Sequence, residues 1–99
     1  MSRLILRPEA CQDLAEAHEW YESHREGLGA EMAAAVFAAI EVAQSRPLSF
    51  PIRREPATRR VLVERFPYAV FFVFADDCVV VTAILHTSRD IEGLLAERN

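Results

Sequence analysis

The sequence contains no lysine, because all eleven of its basic residues are arginines. A lysine general base or a lysine Schiff base is therefore excluded from any mechanism of this chain. Only two cysteines are present, and we interpret Cys11 and Cys78 as small core residues rather than as a disulfide. The apolar stretch from Tyr68 to Ala75 has eight residues, which is too short to span a bilayer.

Signals for export and for metal binding are also missing. A secretory signal needs an apolar stretch of roughly 7–15 residues, and only residues 4–6 are adjacent apolar residues near the N-terminus. We therefore expect a cytoplasmic protein. His18 and His24 have no cysteine or carboxylate partner at metal-ligand spacing, so we predict neither a metal site nor a cofactor.

The length and charge of the chain limit its organisation and its partners. Ninety-nine residues provide for one hydrophobic core, and we predict a single domain over residues 1–99. The net charge of −4 argues against a surface that follows nucleic acid, so we expect no direct nucleic-acid binding. The charge is unevenly distributed, however, because residues 46–65 contain six arginines and only two glutamates.

The N-terminal half is predicted to form a strand and two helices. Residues 2–6 are predicted to form a short strand that ends before Pro8, and apolar residues at spacings of three and four predict helices over 9–23 and 30–45. Acidic residues such as Asp13 are placed on the outer face of the first helix. The segment Gly27-Leu28-Gly29 separates the helices, because glycine enters positive φ without steric cost.

The second half is predicted to be mainly β. Three prolines predict a surface loop over 46–57, and strands are predicted over 60–65, 68–74 and 78–85. Asp76-Asp77 is predicted to form a two-residue hairpin turn, and a short helix is predicted after residue 90. The result is an α+β fold of order βααβββ(α), with a small antiparallel sheet packed against an N-terminal helical hairpin. The strand over 68–74 is apolar on both faces, so it must lie centrally with cover on both sides.

Ordered motifs along the chain resemble those of a known family. The first half contains Ala10, Asp13-Leu14, Glu16-Ala17, Trp20-Tyr21-Glu22, Gly27-Leu28-Gly29, Pro47 and Phe50-Pro51. The second half contains Arg59-Arg60, Arg65-Phe66-Pro67-Tyr68, Ala83-Ile84-Leu85-His86 and Arg89-Asp90. In this order and spacing the motifs resemble ParE-type toxins of the ParE/RelE superfamily, from about Leu4 to Asp90.

The resemblance implies a toxin of a type II toxin–antitoxin system that causes growth arrest. Its antitoxin would be ParD-like, with a ribbon-helix-helix domain and a C-terminal segment that wraps the toxin. Two activities exist in the superfamily: ParE-like members inhibit DNA gyrase, and RelE-like members cleave messenger RNA on the ribosome. A homologue that binds an antitoxin without being toxic is a third alternative.

Departures from the RelE pattern favour the gyrase inhibitor. RelE-like enzymes are similar in placing basic residues on the central strands and an aromatic or basic residue near the C-terminus, whereas Ala69, Leu62 and Leu95 stand at such positions here. A retained arginine can bind phosphate, but it cannot carry both proton transfers of RNA cleavage. We therefore assign no catalytic residue and expect a protein that acts by binding.

Several side chains are candidates for contact with a partner. The candidates are Trp20, Arg53, Arg54, Arg59, Arg60, Arg65, His86 and Arg89. The arginines suit carboxylates, with which they form two parallel hydrogen bonds, although a solvated rim that balances the acidic first helix is an equal alternative. Trp20 lies at the margin of the apolar stripe and is a candidate anchor for a partner segment, whereas Tyr21 is assigned to the core. For His86 a role in ending the last strand and orienting Arg89 is preferred over proton transfer.

Overall fold

The structure, a computed structural model, describes residues 2–89 and 91–98. Its elements are β1 (Arg3–Leu6), α1 (Pro8–His24), α2 (Leu28–Ser45), β2 (Ile52–Arg54), β3 (Thr58–Leu62), β4 (Tyr68–Ala75), β5 (Cys78–His86) and α3 (Ile91–Glu97). A single 3₁₀ turn, Pro47–Ser49, follows α2. Pro8 is the first residue of α1. A backbone N–H at that position would have no hydrogen-bond partner within the helix, so proline is tolerated there. The predicted α+β class and the N-terminal helical hairpin are confirmed.

The five strands form one sheet in the order β1-β5-β4-β3-β2. The prediction of an antiparallel sheet was wrong in one respect, because β1 pairs with β5 in parallel, with Leu4 opposite Val79. The other neighbours are antiparallel. The helical hairpin carries the chain across the sheet after β1, and such a crossover is what allows two parallel strands to pair.

The predicted loop over 46–57 contains an additional strand, β2, which pairs with the first residues of β3. The next strand also ends earlier than predicted, at Leu62 rather than at residue 65. Arg65 has a φ of 76°, a left-handed conformation that an extended strand does not contain. The predicted turn Asp76-Asp77 is confirmed, and both aspartates have positive φ, of 53° and 57°, as a type I′ turn requires.

Each face of the sheet has its own apolar cluster. The larger cluster packs the inner sides of α1 and α2 against one face, around Met32, Val36 and Phe72. The smaller cluster lies on the opposite face, where Leu95 of α3 packs with Phe71 and its neighbours. Strand β4 is central and contributes to both clusters, as its two apolar faces predicted. The second cover of the sheet is thus the short terminal helix.

Two details of the helical hairpin differ from prediction. Cys11 is exposed rather than in the core, because it follows the inward-facing Ala10 and is rotated by about 100° around α1; Cys78 is buried as predicted. Gly27 has the expected positive φ of 87°, but Gly29 is helical. Gly29 serves close packing instead, since a Cβ there would lie 2.7 Å from the backbone oxygen of His18.

Helix α2 is apolar along most of its length. Its 18 residues have a mean hydropathy of 1.2, which by length and composition alone would suffice to cross a membrane. In the fold, however, Met32, Val36, Ile40 and Ala43 are buried on its inner side, as in the core helix of a folded domain.

Candidate partner-binding surfaces

A cleft of about 300 Å³ opens where β5 ends and β4 begins, and we call it the end cleft. It is lined by Asp13, Glu16, Ala17, Trp20, Tyr21, Tyr68, Ile84, Leu85, His86 and Arg89. The fold therefore brings together three residues that the sequence singled out separately: Trp20 from α1, His86 from the end of β5, and Arg89 from the turn that follows.

The contacts of His86 fix its ring in the end cleft. Its Nδ1 accepts a hydrogen bond from the backbone N–H of Ser88 at 3.1 Å and lies 2.7 Å from the Ser88 hydroxyl. Because a backbone N–H can only donate, Nδ1 is unprotonated and Nε2 carries the ring proton of the neutral form. The carbonyl of His86 accepts from the N–H of Arg89 at 3.0 Å. These bonds order the turn that presents Arg89.

Aromatic rings form the rest of the cleft wall. Tyr68 meets His86 edge to face, with ring centroids 5.2 Å apart, and burial raises the pKa of its hydroxyl. Burial likewise raises the pKa of Tyr21. Trp20 is 55% exposed and stacks on His24 with a centroid distance of 3.9 Å. The cleft thus offers an exposed indole, protonated phenols and a guanidinium, which suit binding through flat apolar and polar contacts.

A second surface lies between α2 and β3, and we call it the hairpin–sheet groove. It has a volume of about 530 Å³ and is lined by Ala35, Ala38, Ala39, Val42, Arg46, Phe50, Val61, Leu62, Glu64 and Arg65. Leu62 is 56% exposed there. Strand β2 pairs only with Thr58 and Arg59, so within the described residues no strand covers the outer edge of β3 from Arg60 onward. An apolar groove beside an open strand edge can accept a helix or a strand from a partner.

The arginines that were predicted as one cluster are distributed over different surfaces. Arg59 donates to the carbonyl of Phe50. Arg65 is held by Glu31, with a nitrogen–oxygen distance of 2.8 Å, and lies over the ring of Phe66. Arg60 is opposite Phe71, which belongs to the cluster under α3. Of the two arginines in β2, Arg53 is exposed and Arg54 is half-buried.

The sequence did not predict an ion pair between α1 and the segment after α3. Arg98 binds both carboxylate oxygens of Asp13, at 2.6 and 2.8 Å, and Asp13 also accepts from the backbone N–H of Ile84 at 2.9 Å. Asp13 was placed on the outer face of α1 but is only 10% exposed. The signal for an inner position was its spacing, three residues after Ala10 and four before Ala17, both of which are buried.

Comparison with known proteins agrees with this architecture. Residues 4–91 match the family model described as the ParE toxin of the type II toxin–antitoxin system parDE. No curated protein matches the chain. A chain from the chromosomal ParDE toxin–antitoxin system of P. aeruginosa has a similar structure, with a TM-score of 0.77 and 17% identity over 87% of this chain and 96% of that one.

The isolated RelE toxin of E. coli is also similar in structure. Its TM-score is 0.66 at 13% identity, covering 99% of this chain and 98% of the RelE chain. At these identities the two structures show a shared fold, whereas the family model covers nearly the whole sequence. The chain therefore belongs to the ParE toxin family of type II toxin–antitoxin systems.

Proposed function

We propose that this type II toxin inhibits DNA gyrase and that a ParD-like antitoxin neutralises it by binding in the hairpin–sheet groove. The lining of the groove supports the proposed binding of the antitoxin. Its wall is apolar along Ala38, Val42 and Val61, and Arg46 and Arg65 lie at its margin. An antitoxin segment with apolar side chains and a carboxylate directed at Arg46 would match both features, whereas Arg65 is already in an ion pair.

RelE-like enzymes are expected to place basic or aromatic groups at certain positions. The residues that stand at those positions here support a protein that acts by binding. Ala69 is fully buried, and Leu95, on the side of α3 that packs against the sheet, is 6% exposed. Neither side chain can transfer a proton or bind a phosphate. The end cleft, with Trp20 and Arg89 accessible, is the surface that we assign to gyrase.

One observation favours a second candidate, a ribosome-dependent mRNA endonuclease. The end cleft holds Tyr68, His86 and Arg89 together, and these groups can transfer protons and bind a phosphate. Against this, Nδ1 of His86 accepts from Ser88 and Nε2 carries the proton of the neutral ring, so neither nitrogen of that ring is free to act as a general base. Supercoiling by purified gyrase and cleavage of mRNA on ribosomes, measured with the same toxin preparation, distinguish the two activities.

Gyrase inhibition predicts that the toxin blocks supercoiling, that its expression causes filamentation with an SOS response, and that Trp20→Ala and Arg89→Ala lose these effects. Specific mRNA cuts that disappear with His86→Ala would overturn the gyrase assignment. Normal growth with no effect in either assay would identify a non-toxic, antitoxin-binding homologue.

Antitoxin binding in the groove is tested with two matched substitutions on α2. Ala38→Glu places a carboxylate in the apolar wall and is expected to weaken antitoxin binding by about tenfold or more. Ala30→Glu is the control, because Ala30 is exposed on the same helix but does not line the groove. Equal affinities of the two variants, measured by calorimetry, would move the antitoxin to another surface.

A further inference from the structure

We propose that the end cleft holds an arginine side chain of its protein partner between the indole of Trp20 and the carboxylate of Glu16. Both residues belong to α1, and both line the cleft. They are four positions apart, and side chains at this spacing are neighbours on one face of a helix. The site rests on the proposed function, in which the end cleft contacts gyrase, and it names a chemical group that this partner contributes.

The indole of Trp20 has one face open for such a contact. The imidazole of His24 covers the other face, with ring centroids 3.9 Å apart and an interplanar angle of 29°. His24 follows Trp20 by one helical turn and Glu16 precedes it by one turn, so the open face is directed toward Glu16. Nδ1 of His24 donates to the carbonyl of Trp20 at 2.7 Å, which fixes the imidazole under the indole.

The carboxylate of Glu16 is in no ion pair with any residue that the structure describes. Glu16 is exposed, and the neutral amide of Gln12 donates to it at 2.9 Å. The hydrogen bond from Arg98 to Asp13 raises the pKa of Arg98, and the charges of Glu9 and Glu16 raise it further. Three acids therefore act on one cation that is bound to Asp13, so this side of α1 keeps an excess of negative charge.

The second charged wall of the end cleft has the opposite sign. Arg89 enters the cleft from the turn after β5, whereas Glu16 enters from α1. Helix α1 contains five acidic residues and no arginine, so a partner segment with only acidic side chains would be repelled there. A segment with an arginine for Glu16 and a carboxylate for Arg89 matches both walls.

A guanidinium suits Trp20 and Glu16 better than the ammonium of a lysine. Its planar cation stacks on an indole face, and the N–H groups at its edge donate to a carboxylate in the same arrangement. An ammonium is a strongly hydrated point charge, which loses more hydration against an aromatic ring. The expected partner group is therefore an arginine.

The fluorescence of Trp20 provides the test, because it is the only tryptophan in the chain. The probe is N-acetylarginine amide, and N-acetylcitrulline amide, which has the shape of arginine without its charge, is the comparison at equal ionic strength. We expect a saturable change with the arginine probe and none with citrulline. Glu16→Gln should raise the Kd about fivefold, the upper limit for an exposed ion pair. Glu19→Gln should leave it unchanged, because Glu19 is an exposed acid of the same helix outside the cleft.

Absence of a saturable change, equal Kd values for arginine and citrulline, or equal losses in Glu16→Gln and Glu19→Gln would overturn the proposal. Both substitutions are at exposed positions, so both variants are expected to fold.

Binding to purified gyrase separates the arginine site from the gyrase assignment. A loss of gyrase affinity that is larger in Glu16→Gln than in Glu19→Gln supports both. Gyrase binding that Glu16→Gln does not weaken would overturn the arginine site and leave gyrase as the target. Binding of the arginine probe by a toxin that does not bind gyrase would support the site and overturn the gyrase assignment.

Discussion

Glu22 stabilises the connection between the two helices. Its carboxylate accepts hydrogen bonds from the backbone N–H groups of Gly27 and Gly29, both at 2.9 Å. These are N–H groups at the start of α2, which lack carbonyl partners within the helix. One side chain of α1 therefore caps α2 and closes the hairpin. Gly29 allows the approach, because a Cβ there would lie 2.9 Å from Glu22 Oε1.

Because of this cap, the stability of the fold is expected to fall when the Glu22 carboxylate is protonated at acid pH. The hydrogen bonds from Gly27 and Gly29 lower the pKa of Glu22 below its ordinary value of 4.5. A carboxyl whose pKa is lower in the folded state stabilises the fold above the unfolded pKa, and this contribution is lost as pH falls through the folded pKa. Glu22→Gln should thus lower the Tm at pH 7, and its difference from wild type should shrink below about pH 4.5.

Thermal unfolding followed by circular dichroism between pH 2.5 and 7 measures this effect. Glu26→Gln provides the control, since Glu26 is an exposed acid in the same connection, four residues later. A Tm difference between Glu22→Gln and wild type that stays constant across the acid range would contradict the capping role.

At the scale of elements, α3 is joined to α1 as well as to the sheet. In the described part of the chain, strand β5 has no parallel partner beyond Val81, because its register with β1 ends there. Asp13 and Arg98 bind the open backbone groups of Ile84 and Thr82. A side chain of α1 and a side chain of the segment after α3 thus replace the hydrogen bonds that a longer β1 would supply.

We expect the coupling energy between Asp13 and Arg98 to be large for an ion pair. The side chains are 10% and 20% exposed, and Asp13 holds Arg98 through both carboxylate oxygens. A double-mutant cycle with Asp13→Asn and Arg98→Gln, measured by urea unfolding, should give a coupling energy in the upper part of the range of about 0.5–3 kcal/mol.

The pair of Arg25 and Glu31 is the matched comparison. Its side chains are 57% and 40% exposed, so its coupling energy should be clearly smaller than that of Asp13–Arg98 and should fall further at high salt. Similar couplings for the two pairs would mean that Asp13–Arg98 does not anchor the C-terminal segment.

Local patterns predicted the elements better than their pairing. The periodicities of α1 and α2 and the apolar strand β4 specified those elements, because each depends on residues that are close in sequence. The parallel pairing of Leu4 with Val79 joins residues far apart in the chain, and no local pattern contains it. Strand β2 was missed because it has three residues between Pro51 and Pro56.

At the scale of the whole molecule, the sequence likewise predicted which residues form the candidate sites only where those residues are close in the chain. Sequence motifs singled out His86 and Arg89, which are neighbours in the chain and share the end cleft. The arginines over 53–65 were grouped because they are close in sequence, but alternation along β3 sends Arg59 and Arg60 to opposite faces. The ion pair of Asp13 with Arg98 joins residues that are 85 positions apart in the chain, and no local pattern contains it.

As a whole, the molecule is a sheet with helices on both faces, and the smaller layer depends on few contacts. Leu95 is 6% exposed and packs with Phe71 and Leu85, whereas Leu94 lies at the margin of the same cluster and is half-buried. Leu95→Ala should lower the free energy of unfolding by about 2–3 kcal/mol, because it leaves a cavity between α3 and the sheet. Leu94→Ala, the same change at the margin, should cost less, and urea unfolding measures both. If Leu95→Ala cost no more than Leu94→Ala, α3 would not be the second cover that the two-faced apolar strand β4 requires.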